Sequence, residues 1–336
     1  MGNDRKLEHI RLALESQTRL AEQDLRFNYE PMLAAHPENT DLSISFLGKT
    51  MRTPIWVSSM TGGTGVARTI NATIARACRE FGMGMGLGSC RKILFDKTHW
   101  ADFNFRDEIG DDQPFWANLG IAQVEELLAS GSIQAVTDLV GELRADGLIV
   151  HVNPLQEWFQ PEGNRLQQTP LHTLQKLLEQ VKFRIIVKEV GQGFGPESLR
   201  VLLQLPIEAI EFGAYGGTNF SKLELLRGDQ QKLEVGLPFA FVGQSASQMV
   251  GSINQILTDN PNPVCKQIII SGGIQNALDG YYLTSKSQLP AVFGMASAVL
   301  QHASESYESL AEFLRNQVEA LRLARAYLQI NPGYHE

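Results

Sequence analysis

No hydrophobic run in this chain approaches the roughly 18 residues that a membrane-spanning helix needs. The first stretch, Met1–Ser16, is charged and lacks an apolar core, so no signal peptide is expected. Cysteine is scarce. Cys78, Cys90 and Cys265 are odd in number and none falls in a CxxC spacing, which argues against a disulfide framework or a structural zinc site and for a reducing cytoplasm. Positive charge is short as well: 29 Lys and Arg face 37 Asp and Glu, for a net charge of −8. Such a chain is a poor general binder of nucleic acid or anionic lipid, because counterion release needs clustered cations. Any anionic ligand must therefore be held by a local site. A G-x-G-x-x-G turn after an early strand is also missing. Gly82-Met83-Gly84-Met85-Gly86 spaces its glycines by one residue inside an apolar run, which suits a strand beneath a flat ligand better than a Rossmann turn.

What is present is globular: 43% hydrophobic and 20% charged residues. A length of 336 residues fits one large α/β barrel or two ordinary domains. Short apolar runs alternate with amphipathic stretches. The runs are 54–59, 83–88, 115–120, 147–153, 184–190, 209–213, 238–243, 267–272 and 291–295. Bounded by Gly and Pro, they read as strands buried on both faces of a parallel sheet. The stretches 66–81, 123–143, 171–181, 245–257 and 307–328 read as helices, the last with Leu310, Phe313, Leu314, Val318 and Leu321 on one stripe. Nine candidate strands are one too many for a (β/α)8 TIM barrel. The surplus run is 238–243, which carries no polar residue fit for a site and reads as the entry into the next helix. With no compositional break, the expectation is a single barrel domain over 1–336, with an N-terminal extension of about fifty residues (1–50) contributing to the substrate site.

Polar residues gather where the strands end. The ends read Ser59-Met60-Thr61-Gly62-Gly63, Ser89-Cys90-Arg91, Asn118, His151-Val152-Asn153-Pro154, Lys188-Glu189, Gly216-Gly217-Thr218-Asn219, Ser271-Gly272-Gly273 and Gly294-Met295-Ala296-Ser297. In a (β/α)8 barrel these ends converge on the face that carries the active site. Singly, each is ordinary turn chemistry; together they describe one bowl. Loops after the last two strands of a barrel present backbone N–H groups to phosphate. A phosphate-bearing cofactor would use Gly273, Ala296 and Thr218 at one end, with Thr61, Ser89, Asn118 and Lys188 around its ring. Lysine inside an apolar strand is costly to bury unless it meets an anion or an electron-rich ring; for Lys188 the alternative is an ion pair with Glu189.

The densest stretch is Asp146–Gly163. His151 and Asn153 alternate along a strand and so share a face. Pro154 stops the strand, and Gln156 and Glu157 follow at the barrel mouth. Glu157 suits Mg²⁺, which takes one or two carboxylates plus phosphates, or it is a solvated loop charge. His151 is a candidate acid or base, or a hydrogen-bonded core histidine. Arg5, Lys6 and His9 fall at one helix start, Arg5 and His9 on one face. With Arg91 they supply a local anion site, or they are a solvated helix end.

These residues, taken together, resemble the type 2 isopentenyl diphosphate isomerases. The resemblance spans nearly the whole chain: Arg5-Lys6-x-x-His9, Met60-Thr61-Gly62-Gly63, Gly88-Ser89-x-Arg91, Ala117-Asn118-Leu119-Gly120, His151-x-Asn153-Pro154-x-Gln156-Glu157, Gln160-Pro161-Glu162-Gly163, Val187-Lys188-Glu189, Gly216-Gly217-Thr218-Asn219, Ser271-Gly272-Gly273-Ile274 and Gly294-Met295-Ala296. The HxNPxQE–QPEG block is specific; GGT or SGG alone is weak. The resemblance implies a cytoplasmic, FMN-dependent (β/α)8 barrel that interconverts isopentenyl and dimethylallyl diphosphate, uses Mg²⁺ and reduced FMN with NADPH as reductant, and forms a homo-oligomer, a tetramer or octamer. It implies FMN contacts from Ser59, Met60, Thr61, Gly62, Ser89, Asn118, Lys188, Thr218, Gly273, Gln275, Ala296 and Ser297. It places substrate against Arg5, Lys6, His9, Ser89, Arg91, His151, Asn153 and Gln156, with Gln156 and His151 catalytic and Glu157 on the metal. Met60, Met85 and Trp158 are expected to form a flat apolar wall that keeps water from a carbocation-like transition state. Two positions depart from the family pattern: Cys90 stands where Gln is usual, and Gln275 where an Arg near the FMN phosphate is usual. An α-hydroxy-acid-oxidase-type FMN oxidoreductase is the alternative on this fold, but no late His-Gly-Gly-Arg run occurs. A non-catalytic flavin-binding barrel is the other.

Overall fold

The computed structural model describes residues 2–38, 40–59, 62, 65–228 and 230–334. Eight parallel strands close a barrel in chain order: β1 Ile55–Val57, β2 Gly84–Gly86, β3 Phe115–Gly120, β4 Gly147–Val152, β5 Arg184–Glu189, β6 Ala209–Glu211, β7 Ile268–Ser271 and β8 Ala291–Met295. β8 pairs back onto β1 and seals the ring. Each strand lies inside one of the apolar runs expected from sequence. The run 238–243 is not a strand, but it closes one helix (Gln230–Ala240) rather than opening the next, which begins at Ala246. The single helix expected over 123–143 is two, Ile121–Ala129 and Gln134–Glu142, separated by the turn at Ser130-Gly131-Ser132. No helix among the described residues is long and apolar enough to cross a membrane.

The twofold period of a strand sorts the barrel into layers. Outward residues such as Val57, Met85, Leu119, Val150, Val187 and Ile270 pack under the surrounding helices. Inward residues Trp56, Trp116, Ile149, Ile186, Ala209, Ile269 and Val292 form a separate core. The hairpin Ile44–Phe46/Lys49–Met51 plugs the N-terminal end of that core with Phe46, Leu47 and Met51. Because both faces are buried, the strands read as continuous apolar runs. Two residues further along each strand lies the next inward position: Ser58, Gly86, Asn118, His151, Lys188, Glu211, Ser271 and Gly294. The layer facing the C-terminal end of the barrel is thus entirely polar or glycine.

The opposite end is tied by charge. Asp146, just before β4, accepts hydrogen bonds from Lys49 Nζ (2.8 Å), an Arg106 guanidinium nitrogen (2.9 Å) and the Phe115 N–H (2.8 Å).

Candidate active site

The polar inward layer is itself hydrogen-bonded. His151 Nδ1 lies 2.7 Å from Asn118 Oδ1, while Asn118 Nδ2 donates to the Leu87 carbonyl at 3.0 Å. That fixed amide makes Oδ1 the acceptor, so the network assigns the proton to Nδ1 and leaves Nε2 with a free lone pair. Burial, and then the charge of Lys188, pull the His151 pKa down to about 3. The imidazole is therefore neutral near pH 7. Cys90 is buried close to the Asn118 backbone. Its sulfur donates toward the Gly88 carbonyl, and burial pushes the thiol up to about 12, so the family-departing residue is an inert neutral thiol.

The low His151 value has a thermodynamic consequence. Between about pH 6.5 and pH 3 the unfolded chain holds a proton that the folded chain refuses, so stability falls as pH drops through that window. A His151→Asn protein should lose less stability from pH 7 to pH 4.5 than the parent, by ~2–3 kcal/mol. Urea midpoints at the two pH values check this, and equal acid losses would count against a buried neutral imidazole.

The block after β4 folds as one unit. Asn153 precedes a short helix, Pro154–Phe159, with the proline in its first turn. Asn153 Nδ2 donates to Gln156 Oε1 (3.1 Å) and to Glu157 Oε1 (3.3 Å). Glu157 Oε2 accepts the Asn164 N–H at 2.8 Å. Gly163 is pressed so close that a Cβ there would stand 2.1 Å from the Glu157 carbonyl oxygen. The QPEG turn therefore folds back onto the HxNPxQE strand end, and glycine alone fits. On the other side, Gln156 Nε2 lies 3.5 Å from Glu224 Oε1 in the helix Phe220–Arg227. Glu224 also accepts from Arg227, which bridges to Glu162. Gln156 is thus flanked by two buried carboxylates, Glu157 and Glu224. Sequence reading missed Glu224. Its only local signal is a glutamate at the fifth position of a helix that follows the GGTN loop.

A cleft at the strand ends is lined by Ser58, Ser59, Lys188, Gly217, Thr218, Gly272, Gly273, Ala296 and Ser297, among others. It gathers the expected cofactor contacts Ser59, Lys188, Thr218, Gly273, Ala296 and Ser297. The hydroxyls of Ser58 and Ser59 are buried there without a hydrogen-bond partner among the described residues. A bound group rich in donors and acceptors would satisfy them. Asn118 lies in the inward layer beside His151. Ser89 is half-buried and Gly62 exposed; neither lines this cleft. Gln275 is exposed outside it, its N–H held by Asp279 at 3.0 Å. Met60 and Thr61 lie outside the described residues.

Two expectations are corrected. Met85 faces outward into the helix-covered core, because its neighbours Gly84 and Gly86 take the inward positions. Trp158 is 61% exposed and stacks under Arg165. Neither walls the site. The expected cations are exposed: Arg91 follows β2, and Arg5, Lys6 and His9 lie on the helix Gly2–Leu12. The side chains of these four make no hydrogen bond or ion pair with other described residues, so the structure does not join them to the strand-end cluster.

No protein-family model matches the chain. Among curated proteins it is 31% identical to the isopentenyl-diphosphate delta-isomerase of Rickettsia akari (strain Hartford) over 323 residues, covering 95% of this chain and 91% of that protein. It is also 31% identical to the enzyme of the same name from Rickettsia felis over 327 residues, covering 95% and 91%. Among solved structures it resembles a flavocytochrome b2 variant with benzoylformate (TM-score 0.60, 14% identity, 90% of this chain and 75% of that one). A mandelate oxidase variant with a monooxide FMN adduct is similar at TM-score 0.54 and 12% identity, covering 91% and 88%. At those identities the structural likeness speaks for the barrel alone, but the curated relatives reach across almost all of the chain. The chain therefore belongs to the isopentenyl-diphosphate delta-isomerase family, in its type 2 branch, and is an enzyme.

Proposed function

We propose that the protein interconverts isopentenyl diphosphate and dimethylallyl diphosphate using reduced FMN and Mg²⁺, with NADPH as the source of reducing equivalents. The observation that carries this reading is the polar inward layer, with Gln156 poised between two buried carboxylates at its rim. Isomerisation adds a proton at the terminal alkene carbon and removes one from the allylic carbon on the other side of the double bond, with no net redox change. Reduced FMN, when bound, supplies an electron-rich ring that stabilises positive charge developing on the alkene. Ser58, Ser59, Lys188, Thr218, Gly273, Ala296 and Ser297 would hold it, the serine hydroxyls gaining the partners they lack. Mg²⁺ would sit on Glu157 and the diphosphate, since no cluster of three or more His, Cys, Asp or Glu occurs among the described residues to cage it.

The chain's own residues divide the work. Asn153 orients Gln156 through its carbonyl oxygen, and Glu224 holds the amide nitrogen. Gln156 has no titratable proton, so it orients the transfer, and Glu224 is the adjacent group able to hold or release one. His151 offers a neutral ring with an acceptor Nε2. Arg5, Lys6, His9 and Arg91 carry no intramolecular partner among the described residues and are available to the diphosphate, where charge-assisted contacts are strong. The three cysteines are free and buried, in keeping with a cytoplasmic protein. Exposed Phe239, Phe241 and Val242 support a homo-oligomer, a tetramer or octamer.

The test is a visible absorption spectrum of the purified protein, followed by an isomerisation assay. Flavin absorbance is expected, with turnover appearing only after dithionite or NADPH reduction and only with Mg²⁺. Full activity in an oxidised, metal-free sample would overturn the reading.

A further inference from the structure

One buried charge takes no part in the chemistry above. Glu211, the last residue of β6, is fully buried inside the barrel. It is the register partner of Lys188 on β5, and strand alternation puts both side chains on the inward face. Lys188 is 6% exposed, and its ammonium donates to the Glu189 carbonyl at 2.8 Å. Glu211 Oε1 lies 3.5 Å from Ser271 Oγ, which is itself fixed by the Gly213 N–H at 3.0 Å. Glu211 Oε2, Ser58 Oγ and Trp56 Nε1 are buried near one another, none in a well-formed hydrogen bond among the described residues. Gly294 makes room for this cluster: a Cβ there would stand 2.6 Å from Ser58 Oγ and 2.7 Å from Ser271 Cβ. Lys188, Ser58 and Ser271 line the cleft proposed above for FMN, and Glu211 shares their inward layer without itself lining the cleft.

A lone buried ammonium and a lone buried carboxylate each cost several kcal/mol, whereas an adjacent pair offsets much of that cost. We propose that Glu211 is a positioning residue that acts through Lys188: its carboxylate, facing Lys188 across the β5–β6 pairing, is the counter-charge whose field balances the Lys188 ammonium at the floor of the flavin pocket and sets the electrostatic potential there. Burial pushes the Glu211 carboxyl above the usual carboxylate value, while the charge of Lys188 and the nearby Ser58, Ser271 and Trp56 groups act against that rise. The inference rests on FMN occupying this cleft.

The experiment is the reduction potential of bound FMN, by dye equilibration, in the parent holoenzyme and in Glu211→Gln and Glu211→Asp. Glutamine keeps size and hydrogen-bonding capacity but removes the charge. It should favour the reduced flavin by about tenfold, a rise of about 30 mV for a two-electron couple. Aspartate keeps the charge and should stay within about threefold of the parent. An unchanged potential in Glu211→Gln, or equal shifts in both variants, would overturn the proposal while leaving FMN binding intact. A parent protein that takes up no FMN would instead overturn the functional reading on which it rests. Should Glu211→Gln fail to fold, Glu211→Asp still decides: a potential displaced tenfold or more with the charge retained counts against the counter-charge.

Discussion

A Gln156→Ala protein is expected to keep its flavin absorbance and FMN affinity while kcat falls by about 10²–10⁴-fold, the range that positioned proton-transfer groups contribute. The reason is where the side chain is anchored. Gln156 bridges Asn153 and Glu224 and is not among the residues lining the FMN cleft. Truncation removes the link between the substrate end of the mouth and a buried carboxylate, and leaves the serine, lysine and glycine contacts untouched. Two outcomes carry the diagnosis. Loss of flavin along with turnover would place Gln156 in cofactor retention, and unchanged turnover would remove it from the chemistry. Trp158→Ala serves as a control on the same short helix: that ring is mostly exposed and stacked on Arg165, so kcat should stay within about twofold.

The difference between those two neighbours shows what a sequence reveals here. All eight barrel strands were legible because strands buried on both faces leave contiguous apolar runs, and the surplus run at 238–243 was separable because it carries no polar residue. His151, Lys188 and Ser271 were legible for the converse reason: each interrupts such a run. The same logic applies to Glu211 in Ala-Ile-Glu-Phe, which also interrupts an apolar run. Glu224 was not legible. The sequence Phe-Ser-Lys-Leu-Glu-Leu-Leu-Arg reads as an ordinary surface helix, and Glu224 is buried only because the helices Pro154–Phe159 and Gln230–Ala240 pack around it. Met85 failed in the opposite sense. Its chemistry suited an apolar wall, but alternation with Gly84 and Gly86 turns it outward. Composition names candidates; the side of the strand decides among them.

Asp146→Ala is expected to destabilise the fold by ~3–5 kcal/mol, the usual cost of stripping one partner from a buried ion pair. Arg106 is only 2% exposed; it keeps its bonds to the Arg144, Gly110 and Gln113 carbonyls but loses the only carboxylate it meets among the described residues. Lys49 and the Phe115 N–H lose the same acceptor. A thermal midpoint lower by roughly 4–7 °C should follow. By contrast, Lys97→Met breaks an ion pair with Glu142 that is about half exposed on both sides, and should move stability by less than about 0.5 kcal/mol. The informative comparison is with function. Asp146 stands at the N-terminal end of the strand whose other end carries His151, roughly 16–17 Å away at strand rise. If barrel ends divide their duties, with stability below and chemistry above, Asp146→Ala measured at 15 °C should retain the parental KM for isopentenyl diphosphate and the parental FMN potential. A changed KM without a lower midpoint would show that the two ends are coupled through β4, and the layered reading of this barrel would fail.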